Sequence, residues 1–176
     1  MDTPDENTTR RMGRNMAWLA AMTLIGLLWL FFDKTLEWRE NPNRAVRTVP
    51  GANAELVLKR NRSGHYVAPG TINGQPVTFM LDTGATLVSV PARLGREIGL
   101  EKGLTGQAST ANGYVTVYST KIDELGIGPF VLRQVRADLN PGMDHDDQVL
   151  LGMSVLKQLE FTQRGDTLVL RAPKSE

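Results

Sequence analysis

The chain has 176 residues, a net charge of +1 and no cysteine. That length sets the expectation of one domain with appendages. Balanced charge without a dense basic block argues against a nucleic-acid partner, and the lack of cysteine excludes a disulfide framework, a thiolate zinc site, a thiol nucleophile and a lipidated cysteine anchor.

Residues 1–15 are polar, end on Arg10, Arg11 and Arg14, and read as a cytoplasmic tail. Met16 to Phe32 follows, 17 residues without a charge and with Thr23 as the one polar side chain. About 17 apolar residues is the short limit for a helix that crosses a bilayer. Trp18, Trp29 and Trp38 lie near its ends, where interfacial aromatics gather. No small-x-small site follows Phe32, so residues 16–32 are expected to be an uncleaved transmembrane signal anchor, ahead of a cleaved signal peptide or a buried core helix. Arg10-Arg11 hints at a twin-arginine signal, but Gly13 and Arg14 stand where apolar residues belong. Lys34, Arg39, Arg44 and Arg47 leave little charge contrast across the span. The short tail is the easier end to retain, which gives a single-pass chain in the inner (cytoplasmic) membrane, N-terminus inside, with the bulk extracytoplasmic or periplasmic.

Residues 33–52 hold Asn41-Pro42-Asn43 and Pro50-Gly51 with little periodicity and read as a linker. From 53 to 173 short β-like runs alternate with turn pairs. Leu56-Val57-Leu58 is one run; His65 to Ile72 and Val77 to Leu81 flank Asn73-Gly74, a strong hairpin signal. Pro91 to Ile98 predicts a short helix closed by Gly99. Thr105 to Thr110 and Tyr114 to Thr120 form a second hairpin around Ala111-Asn112-Gly113. Leu125 to Leu132 holds a further turn, and Asn140 to Gln148 is a polar loop. Val149-Leu150-Leu151-Gly152-Met153 leads into a helix over 154–159, and a last hairpin turns at Arg164-Gly165-Asp166. Strands every 8 to 12 residues with two short helices predict an all-β fold, small and mostly antiparallel.

One acid is framed unlike the others. Phe79-Met80-Leu81 climbs to Asp82, the chain turns through Thr83 and Gly84, and a second apolar run leaves at Leu87-Val88. An acid on a turn usually bonds nearby backbone, but one at the tip of an apolar strand is costly unless it is used or paired. Gly84 allows a close approach that a Cβ would block.

Leu81-Asp82-Thr83-Gly84-Ala85-Thr86, followed about 65 residues later by Val149-Leu150-Leu151-Gly152-Met153 and a short helix, resembles the retropepsin-like aspartic proteases (clan AA), in particular their bacterial single-domain, membrane-anchored members. The resemblance covers roughly Ala54 to Pro173. It implies that Asp82 is the catalytic acid, in an active-site turn with Thr83, Gly84 and Ala85. Thr83 would bond to its mate across a two-fold axis. Ala111, Asn112 and Gly113 would tip a flap over a peptide, and Leu150, Leu151 and Gly152 would support the turn from behind. Hydrolysis by two carboxylates needs no metal and no cofactor. Because Asp166-Thr167-Leu168 has leucine where glycine is required, the chain supplies half a site, and a homodimer is implied. The partners expected are a second copy, a protein or peptide substrate, and the membrane.

Asp82, Gly84 and Thr86 also fit the Asp-x-Gly-x-Thr loop of actin-like and sugar kinases, which need two α/β domains and far more chain. Asp144-His145-Asp146-Asp147 reads as a solvated acidic loop, since adjacent residues cannot all face one ion. The rival from another class is a non-catalytic peptide-binding or scaffold module of the same fold.

Overall fold

The computed structural model describes residues 6–44, 47–49, 54–110 and 113–173, and its contacts divide the chain into two units after Arg39. The first is a single helix, α1 (Glu6–Glu40), which extends beyond the apolar run at both ends. Its segment Arg14–Phe31 has a mean hydropathy of 1.4, enough by length and composition to cross a membrane, and none of it is buried. Thr23 Oγ1 donates to Leu19 O at 2.9 Å, so this polar side chain is satisfied within the helix.

Among its described residues the second unit holds eleven strands, β1 (Arg47–Val49), β2 (Glu55–Lys59), β3 (Tyr66–Ile72), β4 (Gln75–Leu81), β5 (Val88–Pro91), β6 (Thr105–Thr110), β7 (Gly113–Ile127), β8 (Phe130–Asn140), β9 (Gln148–Leu151), β10 (Glu160–Arg164) and β11 (Thr167–Arg171). Two short helices join them, α2 (Ala92–Glu97) and α3 (Met153–Leu156). The predicted helix over 154–159 is thus shorter and starts one residue earlier. Of residues 33–52, expected to be a linker, those as far as Glu40 are helical and 47–49 form β1. Just ahead of β1, Asn43 is buried: its Nδ2 donates to Lys59 O and Val67 O, both at 2.8 Å, while Lys59 N–H donates to its Oδ1 at 2.7 Å.

A four-stranded sheet has the order β1-β2-β11-β10 and a larger one β3-β4-β9-β5-β8-β7-β6, closed on itself by β3–β7. Asn73 and Gly74 both have positive φ (49° and 79°), the turn that the Asn-Gly pair encodes. β4–β9 and β5–β8 pair in parallel, which hydrophobic spacing did not reveal. Alternate residues of the closed sheet, including Phe79, Val149, Leu151, Val88, Ala137 and Leu139, point into one core with Leu56, Leu58 and Leu170 from the terminal sheet. Burying each of the valine, leucine and phenylalanine side chains contributes about 1.5–3 kcal/mol.

Candidate active site

Asp82 leaves the end of β4, and its N–H donates to Leu151 O of β9 at 3.2 Å, extending the parallel ladder by one bond. The chain then turns: Ala85 N–H donates to Asp82 O at 3.3 Å, and Gly84 N–H donates to Asp82 Oδ1 at 2.8 Å. One carboxylate oxygen is thereby fixed by its own turn. A Cβ on Gly84 would stand 3.2 Å from that oxygen, so the close approach is to the acid itself. Asp82 is half-buried, while Thr83 and Gly84 face solvent and Ala85 is intermediate.

The turn is bound to the segment after β9. Met153 N–H donates to Ala85 O at 2.8 Å, Ser154 N–H to Thr86 O at 2.9 Å, and Val88 N–H to Ser154 Oγ at 3.1 Å. Gly152 lies between the two: a Cβ there would stand 2.6 Å from Ala85 O and closer still to Leu87 O. Leu151 is in the core and Leu150 is half-buried on the opposite face of β9. Backbone bonds on both sides hold Asp82 in place.

Over 105–118 the β6–β7 hairpin projects with mostly exposed residues, Tyr114 being 78% exposed. Gly113 begins β7 with φ +108°, whereas Ala111 and Asn112 lie outside the described residues. Asp166 sits in the β10–β11 turn, exposed and 3.6 Å from Arg60, far in topology from the Asp82 turn. Asp144 and Asp147 engage Arg93 at the start of α2: Arg93 N–H donates to Asp144 Oδ1 at 2.7 Å and its guanidinium to Asp147. Among the described residues no group of three or more His, Asp or Glu is placed to hold a metal ion.

The pair Ser89–Asp138 escaped the sequence reading. Ser89 Oγ donates to Asp138 Oδ1 at 2.6 Å across β5 and β8, and the two residues are 7% and 8% exposed. Burial pushes the Asp138 carboxyl above the usual aspartate range, an effect that the Ser89 hydroxyl partly offsets. Each is a polar residue between apolar ones, Val88-Ser89-Val90 and Ala137-Asp138-Leu139, a pattern that reads as a solvent-facing position.

Comparison with known proteins places this turn in a family. Residues 68–158, just over half of the chain, match the family described as "gag-polyprotein putative aspartyl protease". The chain belongs to the retropepsin-like aspartyl protease family. The matched span runs from β3 through α3 and so contains both the Asp82 turn and the Gly152 segment bonded to it. A retropepsin-like aspartic protease from Rickettsia conorii, known from its crystal structure, superposes with a TM-score of 0.55 at 26% identity, covering 72% of this chain and 94% of that one. A Sinorhizobium protein encoded in the cobV 5′ region is 33% identical over 135 residues, 74% of this chain and 58% of the relative. An uncharacterized protein of Rickettsia prowazekii is 26% identical over 120 residues, 66% of this chain and 51% of the relative. The retropepsin-like chain thus spans little more than half the length of the curated relatives it matches.

Proposed function

We propose that the chain is a membrane-anchored aspartic endopeptidase whose site is completed when Asp82 of two copies meet across a two-fold axis. The observation that carries this reading is the Asp82 turn: one carboxylate oxygen fixed by Gly84 N–H, with the turn bonded to residues 151–154 and its Thr83–Gly84 side open to solvent.

Peptide hydrolysis without a metal needs one group that takes a proton from water and another that gives one to the carbonyl oxygen. Two carboxylates a few Å apart hold one proton between them, because both cannot ionise at that distance. Water attacks the peptide carbonyl as the ionised member takes its proton and the protonated member donates to the carbonyl oxygen; the C–N bond then breaks as the proton taken from water passes to the leaving nitrogen and the hydroxyl proton returns to the other carboxylate. The pair titrates as a unit. Thr83 would join the two turns, the β6–β7 hairpin would close over an extended peptide, and residues 150–152 would hold each turn. No metal or organic cofactor takes part. The anchor is α1, with its N-terminus inside and the β unit periplasmic.

The test uses the full chain in detergent, as wild type and Asp82→Asn, with a mixed peptide library read by mass spectrometry from acidic to neutral pH. Cleavage by wild type alone is expected, falling as pH rises through the upper apparent pKa of the pair. Equal silence from both, with folded protein that still binds peptide, would leave a binding module in place of the enzyme.

A further inference from the structure

A continuous row of residues crosses the closed sheet on the face turned away from the core. Register aligns Val67 with Met80, Met80 with Leu150, Leu150 with Ser89, Ser89 with Asp138, and Asp138 with Ser119. Their strand neighbours Ala68, Phe79, Val149, Leu151, Val88, Val90, Ala137 and Leu139 pack in the main core cluster, which none of the row joins, although Val67, Ser89 and Asp138 are themselves buried. Side chains alternate along a strand, so Asp82 departs on the same side as Met80. The half-buried Met80 and Leu150 therefore lie beside the carboxylate as an apolar stretch, and the Ser89–Asp138 pair lies beyond them. Three strand spacings separate Met80 from Asp138, about 14 Å, which an extended peptide spans in about four residues.

Asp138 is nearly buried, and Ser89 is its hydrogen-bond partner among the described residues. A carboxylate can accept about four hydrogen bonds, so a cation or further donors can join the Ser89 hydroxyl at Asp138. An acid placed this deep gains stability from such a partner. The Asp82 turn does not use it, and no salt bridge engages it among the described residues.

We propose that Ser89 and Asp138 form the floor of a substrate subsite that selects a lysine or arginine side chain, within four residues of the bond cut at Asp82. The proposal rests on the aspartic-protease reading for its peptide substrate. Met80 and Leu150 accept apolar groups next to the bond, and Asp138 receives the ammonium or guanidinium through charge-assisted hydrogen bonds.

The experiment again uses the full chain in detergent, with a peptide cut by wild type carrying Lys, Arg, Gln or Leu at each position within four residues of the bond. Asp138→Asn keeps an acceptor for Ser89 at nearly the same volume, and Ser89→Ala serves as a second variant. Expected is a fall of about tenfold or more in the ratio of kcat/KM for the basic peptide to that for the Leu peptide in Asp138→Asn. The same peptides are titrated against Asp82→Asn and Asp82→Asn/Asp138→Asn chains by fluorescence anisotropy, where the basic-to-Leu affinity ratio is expected to fall alike. A ratio that stays the same when Asp138 becomes Asn, in cleavage or in binding, overturns the subsite and leaves Ser89–Asp138 as a strand-to-strand bond. A basic preference in binding without any cleavage by wild type sinks the protease reading and keeps the subsite. A chain that neither cuts nor binds any peptide overturns both.

Discussion

At Gly152 the absence of a side chain has a direct mechanical reason. The carbonyls of Ala85 and Leu87 occupy the space that a Cβ would need, and both belong to backbone already tied to residues 153 and 154. Gly152→Ala is therefore expected to destabilise the β unit by about 1–3 kcal/mol, through displacement of the 82–88 turn. Urea unfolding measures the loss, and Gly106→Ala is the control, because its nearest neighbour there is Val117 Cγ2 at 3.9 Å. The control is expected to stay within about 0.5 kcal/mol of wild type; equal effects at the two positions would contradict the steric account. Asp82 and Gly84 were legible as residues because they interrupt an apolar run in a way a strand alone does not require, and Gly152 only through the family resemblance. Ser89 and Asp138 were not, since their bond joins strands 49 residues apart and a polar residue in a strand ordinarily marks the wet face. How deeply a strand position lies depends on its tertiary neighbours, which period-two alternation does not encode.

Elements were read well where local chemistry decides them and poorly where tertiary pairing does. The Asn73-Gly74 hairpin follows from two positive-φ positions, and α2 from Pro91 before it and Gly99 after it, with φ +77°. The parallel pairings β4–β9 and β5–β8 join residues 70 and 49 positions apart, and nothing in either strand alone specifies its neighbour. Strand β1 and the buried Asn43 lie in a stretch that reads as polar linker, because three residues of ladder and one amide leave no periodic signal. Helix α1 is the opposite case, since composition alone separates it from the β unit. Its apolar segment has side chains at Met22 and Ile25 that are 68% and 62% exposed in the absence of lipid. If that segment crosses a bilayer, the chain is expected in the membrane pellet and resistant to alkaline extraction. An arginine at the centre of a span costs about 2.5–3.5 kcal/mol, so the double change Met22→Arg and Ile25→Arg is expected to move most of the protein to the soluble fraction. An unchanged distribution would mean that the β unit, not α1, holds the chain at the membrane.

At the scale of the whole molecule the question is how many chains make one site. The Asp82 turn offers one carboxylate, and Asp166, the second acid followed by threonine within the β unit, is held at the far hairpin beside Arg60, with Leu168 buried in the core after it. A mechanism that shares one proton between two acids then requires a second copy. Tethering by α1 would raise the effective concentration of copies in a membrane, so that pairing needs only a modest interface. Mixing separates the alternatives quantitatively. Wild type and Asp82→Asn chains are combined in equal amounts, exchanged to equilibrium and assayed at fixed total protein. If each site takes one Asp82 from each of two chains, mixed dimers are inactive and only about one quarter of the dimers keep both acids. Activity is then expected at about one quarter of the all-wild-type sample, whereas independently working chains would retain about half. Dilution of wild type alone supplies the second reading, because a site shared between chains loses specific activity once dimers dissociate, and a site complete within one chain does not.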